Sequence, residues 1–281
     1  MLLNQLLFTR SFPRSLTWRA GRYLYMRARG DLGSAPEDNG EYALQERLLS
    51  LPASERIWMD VGANVGEWTA HAIELARSRG IPIQVHAFEP VDGTRALAQK
   101  RLEPFQSQLS LHGVALSDRT GESVVHVSST SSSTNSLVRE PNRELVEQRV
   151  MLNTVDAFLK ERKIAQVQFL KCDTEGHDFS VLKGARETLL RGGIDVLQFE
   201  YNHRWIYARA FLKDVYDFTE PMAYTVGRLC ADGIELVPRW HPELERFFEC
   251  NWVLVSNALV QTLEASDGSF TASNTYERVG R

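Results

Sequence analysis

Ile57-Trp58-Met59-Asp60-Val61-Gly62-Ala63-Asn64-Val65-Gly66 is the stretch whose reading decides the fold. It opens as an apolar run, the signature of a strand buried on both faces of a parallel sheet. It closes in a glycine-rich turn. From Glu67 to Arg79 the period becomes helical: Thr69, Ile73 and Ala76 share one face, Arg77 and Arg79 occupy the last turn, and Gly80 stands in the capping position. Strand, turn and helix make the first half of a βαβ unit of the nucleotide-binding kind. Gly62 and Gly66 are expected to clear side chains from the place where a ligand meets the backbone, beside the unpaired N–H groups of the helix N-terminus.

The spacing selects among ligands. A dinucleotide fingerprint is G-x-G-x-x-G; here the turn is G-x-x-x-G preceded by Asp60. An acid at the strand end suits an ammonium or sulfonium group better than a pyrophosphate. One helix and one strand later, Ile83 to Phe88 runs into Glu89-Pro90. A carboxylate there can accept both ribose hydroxyls. The two acids together predict an S-adenosylmethionine site.

Bulk properties narrow the class. The chain has 281 residues, enough for one large α/β domain with extensions. A formal net charge of −4 argues against a general nucleic-acid binder, which needs a basic face. Cys172, Cys230 and Cys250 are odd in number and far apart, which excludes a disulfide framework and zinc spacing and predicts a reducing, cytoplasmic setting. No apolar run approaches the length of a membrane span.

Composition divides the chain into an arm with its linker (1–38), a catalytic domain (39–257) and a polar tail (258–281) expected to be disordered. Residues Met1 to Gly30 carry Arg10, Arg14, Arg19, Arg22, Arg27 and Arg29, with no acid, interleaved with leucines and aromatics. Such a segment can pack on the domain, lie on an anionic membrane or serve as a targeting peptide. Asn39 is the expected N-cap of a helix from Gly40 to Leu49. Strands are expected at 109–116, 124–127 and 150–152, with Thr154 capping a helix through Leu159. The polar run Ser128–Ser136 has no period and is expected to act as a lid. The strand Val167 to Cys172 ends in Asp173-Thr174-Glu175-Gly176-His177-Asp178, followed by a helix from Phe179 to Leu190. The next strand, Ile194 to Phe199, ends in Glu200. Four strand ends thus carry carboxylates, and in an open α/β sheet these ends face the ligand. A helix from Ile206 to Phe218 and a late antiparallel hairpin complete the chain. The expected fold is α/β, doubly wound, with a mostly parallel seven-stranded sheet.

The residues from about 40 to 256 resemble the FkbM-type S-adenosylmethionine-dependent methyltransferases, within the class I methyltransferase fold. The resemblance is carried by Asp60 to Gly66 with Thr69, Phe88-Glu89-Pro90, Val114 to Asp118 with Gly121, and Asn135-Ser136-Leu137. Further on it is carried by Thr154-Val155-Asp156, Lys171 to Gly176, and Val181 to Ala185. It implies a cofactor set of Asp60, Gly62, Ala63, Asn64, Gly66, Thr69, Glu89, Pro90, Val114, Ala115, Ser117 and Asp118. The Gly62–Gly66 turn would hold the methionine moiety and Glu89 the ribose. Val114 and Ala115 would line the adenine, with Ser117 and Asp118 nearby. The family implies methylation of a hydroxyl, often on a sugar of a glycan, glycolipid or natural product.

A hydroxyl is a weak nucleophile, so a base is expected where its proton leaves. Asp173 is the first candidate, being a rigid strand-end residue. His177 is second, as an imidazole titrates near neutrality. Glu175, Glu200 and His203 follow. Asp173 and Glu200 could instead hold Mg²⁺, but no D-x-D or His-rich cluster supports a metal. A nicotinamide-dependent oxidoreductase is opposed by the missing G-x-G-x-x-G. A non-catalytic scaffold is opposed by the full set of strand-end acids.

Overall fold

The computed structural model describes residues 14–30, 35–53, 55–128, 135–141 and 145–279. Its centre is a ten-stranded sheet. Strand β1 (Ile57–Val61) pairs in parallel with β2 (Gln84–Phe88) on one side and with β7 (Val167–Cys172) on the other. Beyond β2 lies β3 (Leu109–His112); beyond β7 lies β8 (Ile194–Tyr201), both parallel. The chain therefore leaves β1 in one direction and returns on its other side at β7. The gap between β1 and β7 is the switch point of a doubly wound sheet, where ligands bind beyond the carboxyl ends of the strands.

The apolar runs of β1 and β7 follow from burial on both faces. Trp58 points into one layer, where it meets Trp68 and Phe169 at ring-centroid distances of 5.9 and 5.2 Å. Met59 and Val61 point into the other layer with Phe88 and Phe158. Phe169 is fully buried, and burial on that scale stabilises the fold by about 1.5–3 kcal/mol per side chain. Helices α1 (Arg14–Arg29), α2 (Glu41–Ser50), α3 (Glu67–Ser78), α4 (Asp92–Arg101) and α5 (Val155–Arg162) include those that cover the faces. Thr154 caps α5 as expected, accepting the Ala157 N–H at 3.0 Å. Asn39 accepts the Glu41 N–H at 3.0 Å, although Gly40 occupies the N-cap position of α2.

Several elements differ from the sequence reading. The strand expected at 109–116 is two strands, because the chain leaves the main sheet at Gly113. Its second part, β4 (Ala115–Leu116), joins β5 (Gly121–Ser128) and β6 (Leu145–Asn153) in a separate three-stranded sheet. The helix expected at 179–190 is broken into α6 (Asp178–Lys183) and α7 (Arg186–Leu190). The break falls at Gly184, where a Cβ would stand 1.9 Å from the Ser117 carbonyl oxygen. The helix expected at 206–218 is likewise two, α8 (Trp205–Ala208) and α9 (Leu212–Thr219).

The late strands do form a hairpin, β9 (Tyr224–Cys230) with β10 (Gly233–Leu236). Strand β11 (Cys250–Ser256) then inserts antiparallel between β8 and β9. These bring the sheet to eight strands, one more than expected, and β10 is joined by two more. They come from the tail that composition reads as disordered: β12 (Ser266–Phe270) runs parallel to β10, and β13 (Tyr276–Val279) pairs with β12. The tail is ordered because Phe270 stacks on His241 at 4.2 Å and Tyr276 donates a hydrogen bond to the buried Glu235. Most of the expected lid, residues 129–134, lies outside the described residues.

Candidate functional site

Two cavities open beyond the carboxyl ends of the central strands and share one wall. The first is lined by Phe88, Glu89, Pro90, Val114, Ala115, Leu116 and His177, with Asn135, Ser136 and Leu137 beside them. The second is lined by Ala63, Glu67, Lys171, Glu200, Arg204, Glu249 and Asn251, with Gly30 and Glu41. Gly62, Asn64, Asp173 and Glu175 line both. Those four residues come from the ends of β1 and β7, so the seam between the cavities is the switch point itself.

The first cavity is apolar on one side and acidic at Glu89 and along the seam. Glu89 is fixed by two backbone donors, the N–H of Asn64 to Oε2 at 3.0 Å and that of Val91 to Oε1 at 2.9 Å. Burial nevertheless raises its pKa to about 7. A carboxylate held in this way could accept two ribose hydroxyls, and Val114, Ala115 and Leu116 supply an apolar wall. Asn64 Oδ1 is buried without a hydrogen-bond partner. An ammonium group lodged at the seam would satisfy that oxygen. The residues present therefore fit an S-adenosylmethionine-shaped ligand.

Five of the expected cofactor residues, Asp60, Gly66, Thr69, Ser117 and Asp118, line neither cavity. Asp60 is fully buried and accepts the Thr69 hydroxyl at 2.6 Å. Both side chains tie β1 to α3 rather than facing the ligand, and burial raises the pKa of Asp60. Gly66 is needed for packing: a Cβ there would meet Leu102 at 2.7 Å. Gly62 does line the cavities, yet a Cβ would first strike the Asp173 carbonyl oxygen, 1.9 Å away. Ser117 is also fully buried, and Asp118 accepts from Lys183 Nζ at 2.8 Å.

Ser117 instead positions His177, whose Nε2 lies 2.9 Å from Ser117 Oγ. Burial lowers the pKa of His177 to about 4. The imidazole lines the first cavity with Val114, Ala115 and Leu116 and does not reach the second cavity. His177, the second candidate base, thus lines the first cavity together with Asp173 and Glu175. His203 is half-exposed on the surface beside Glu140.

The seam acids are paired with two cations, Lys171 and Arg204. Lys171, itself buried, donates to Asp173 Oδ2 at 2.9 Å. Its desolvation lowers its pKa, but Asp173, Asp60 and Glu41 more than reverse this and hold it protonated. Arg204 donates to Glu175 Oε2 at 2.6 Å. Glu175 has positive φ, 56°, and its turn is shaped by Asp178, which accepts the N–H groups of Thr174 and Gly176. Burial pushes the pKa of Glu175 and of Glu200 up, and Asp173 adds to both. Glu200 accepts Asn202 Nδ2 at 2.5 Å. Arg204 was missed because it lies three residues past the end of β8, outside the strand-end acids. Asn135 and Ser136 were noticed only as part of a motif, although Ser136 Oγ donates to the Glu175 carbonyl at 2.7 Å. No group of three His, Cys, Asp or Glu side chains that could hold a metal ion occurs among the described residues.

The methyltransferase FkbM domain family matches residues 60–228. No curated protein matches the chain. Among solved structures the chain is similar to the FkbM methyltransferase from Methylobacillus flagellatus KT, with 18% identity and a TM-score of 0.47, over 73% of this chain and 45% of that one. This chain therefore spans under half the length of that protein. It is also similar to the METTL16 MTase domain, with 14% identity and a TM-score of 0.42, over 76% and 66% of the two chains. A third is M. capricolum TrmK in complex with S-adenosylhomocysteine, with 11% identity and a TM-score of 0.39, over 76% and 68%. The family match runs from Asp60 through β7 and β8 to β9 and so includes every residue shared by the two cavities: the chain belongs to the FkbM methyltransferase family, with a class I methyltransferase fold.

Proposed function

We propose that the protein transfers a methyl group from S-adenosylmethionine to a hydroxyl of a sugar-type acceptor. The first cavity takes the donor and the second takes the acceptor. The observation that carries this reading is the shared wall: Gly62, Asn64, Asp173 and Glu175 face both spaces, so a group passed between the cavities passes them. The donor supplies a methyl group already activated by its sulfonium.

The chain's own work is alignment and one proton. Glu89 and the turn amides fix the donor side, and alignment of this kind can supply most of the rate. Asp173 is the base: Lys171 holds Oδ2, and Oδ1 takes the proton of the hydroxyl as the bond forms. Glu175, clamped by Arg204, and Glu200 accept hydrogen bonds from neighbouring hydroxyls or, when protonated, donate them. The second cavity sets Glu41, Glu67, Asp173, Glu175, Glu200 and Glu249 against Lys171 and Arg204. That balance suits a neutral polyhydroxylated acceptor and repels a phosphodiester chain, which favours sugar over RNA.

The test is transfer of labelled methyl from S-adenosylmethionine into neutral oligosaccharides and, separately, into RNA, with the product located by mass spectrometry. Label is expected on a carbohydrate oxygen. Asp173→Asn should lower turnover by about 10²–10⁴ with little change in S-adenosylhomocysteine affinity. His177→Gln should weaken that affinity and leave the chemical step. Label appearing in RNA, or an Asp173→Asn enzyme of undiminished turnover, would replace this reading.

A further inference from the structure

We propose that α1 docks the protein on an anionic membrane through its outward face. The helix is held to the body by one side only. Arg29 is buried and donates to the Glu243 carbonyl at 3.0 Å, while its own carbonyl accepts from Arg228. The Tyr25 hydroxyl accepts from Arg246 Nε at 3.0 Å, and its ring meets Phe248 edge-on at 6.0 Å. Arg22 lies 5.1 Å over the same Phe248 ring. These contacts leave Leu16, Tyr23 and Leu24 in water on the far side of the helix, with Leu24 65% exposed, while Trp18, on the same stripe as Arg22, Tyr25 and Arg29, is 73% exposed. Among them stand Arg14, Arg19 and Arg27, also exposed, and the helix contains no acid.

The composition of this face commits it to one occupant. Large apolar side chains alternating with arginines fit the boundary between acidic headgroups and acyl chains, where Trp and Tyr sit at headgroup level and Arg reaches the phosphates. A second copy of the chain would set arginines against arginines. A nucleic acid would leave the leucines and Trp18 unburied. No helix among the described residues is long and apolar enough to cross a membrane, so the helix lies on the surface rather than spanning it. In a chain of net charge −4, this all-basic segment also orients the molecule toward an anionic surface. Gly30, at the end of the helix, lines the second cavity. If the proposed acceptor role of that cavity holds, docking brings its mouth toward lipid-linked acceptors; the docking itself does not depend on that role.

The experiment uses the full chain and sedimentation with vesicles. Phosphatidylcholine containing roughly one third phosphatidylserine should carry the protein down at low salt, phosphatidylcholine alone should not, and rising salt should release it. Replacing Arg14, Arg19 and Arg27 by Gln together should weaken binding about a hundredfold, at about fivefold each. Trp18→Ser with Leu24→Ser should weaken it further. S-adenosylhomocysteine affinity, unchanged in both variants, shows that they are folded. Equal sedimentation with neutral vesicles, or undiminished binding by the triple variant, overturns the proposal. So does a preference for a single-stranded RNA oligonucleotide over anionic vesicles, or self-association through Trp18 and Leu24 without vesicle binding.

Discussion

Glu89 carries a conflict that can be measured. Two backbone N–H groups point at its oxygens and favour the carboxylate, yet burial raises its pKa from 4.5 to about 7. A raised pKa means that the folded state binds the proton more tightly than the unfolded chain. The stability tied to Glu89 is therefore fully present below about pH 4.5 and is lost as pH rises through about 7. The size of the loss follows from the shift and is about 3 kcal/mol. Glu89→Gln removes the titration. It also turns an amide donor toward a backbone N–H, at a cost independent of pH. The stability difference between variant and wild type, followed by urea unfolding from pH 4.5 to 8, should move in favour of the variant by about 3 kcal/mol. A difference that stays flat across the range would remove burial as the dominant influence on Glu89. Saturating S-adenosylhomocysteine should change the curve, because the ligand's ribose would meet the same oxygens.

At the scale of elements, the β1–α3 turn and the end of β7 are one mechanical unit. Gly62 has φ +85 and no room for a Cβ, since the Asp173 carbonyl oxygen is 1.9 Å from where it would stand. Gly66 has φ +83, but its crowding neighbour is the side chain of Leu102 rather than backbone. Both replacements by Ala incur the left-handed penalty of roughly 1–2 kcal/mol, and only Gly62→Ala also pushes on backbone. Gly62→Ala should thus be the more destabilising of the two in denaturant, and should lower turnover more than donor affinity because it moves Asp173. Equal loss in both would mean that β7 yields to the added atom. The sequence showed that glycines were needed at this turn and left the reason open to misreading: clearance for a ligand and clearance for a neighbouring strand look alike until the neighbour is known. The break between α6 and α7 was hidden for the same reason. Gly184 sits in a helical pattern, and the Ser117 carbonyl that requires it comes from a segment 67 residues earlier in the chain.

For the whole molecule, what could be read in advance tracks how local the cause is. The doubly wound core was legible because each strand buried on both faces announces itself as an apolar run, and the site was legible because those strands end in acids. Lys171 and Arg204 were harder to assign: a cation becomes part of a site only through the carboxylate it meets, and Glu175 and Arg204 are brought together by β7 and β8 lying side by side. The tail was misread because Ser266 to Phe270 and Tyr276 to Val279 are polar, edge-strand sequences that gain order only from the sheet they extend. Its removal separates edge from core. Ending the chain at Ala265 strips β12 from β10 and leaves the buried Glu235 without the Tyr276 hydroxyl and without Arg278, whose Nε is 3.6 Å away. Arg228, at 3.9 Å, remains. Losing hydrogen bonds to a buried charge costs about 1.5–3 kcal/mol, so the thermal midpoint should fall by several degrees, about 2–4 °C for each kcal/mol in a chain of this size. The first cavity, the proposed donor site, rests on β1, β2 and the small sheet, at the far side of β8 from the removed strands. S-adenosylhomocysteine should accordingly bind the shortened protein with unchanged affinity and restore part of the lost midpoint. An unchanged midpoint would show that the two tail strands add no stability. Lost ligand binding would show that edge and core unfold as one unit.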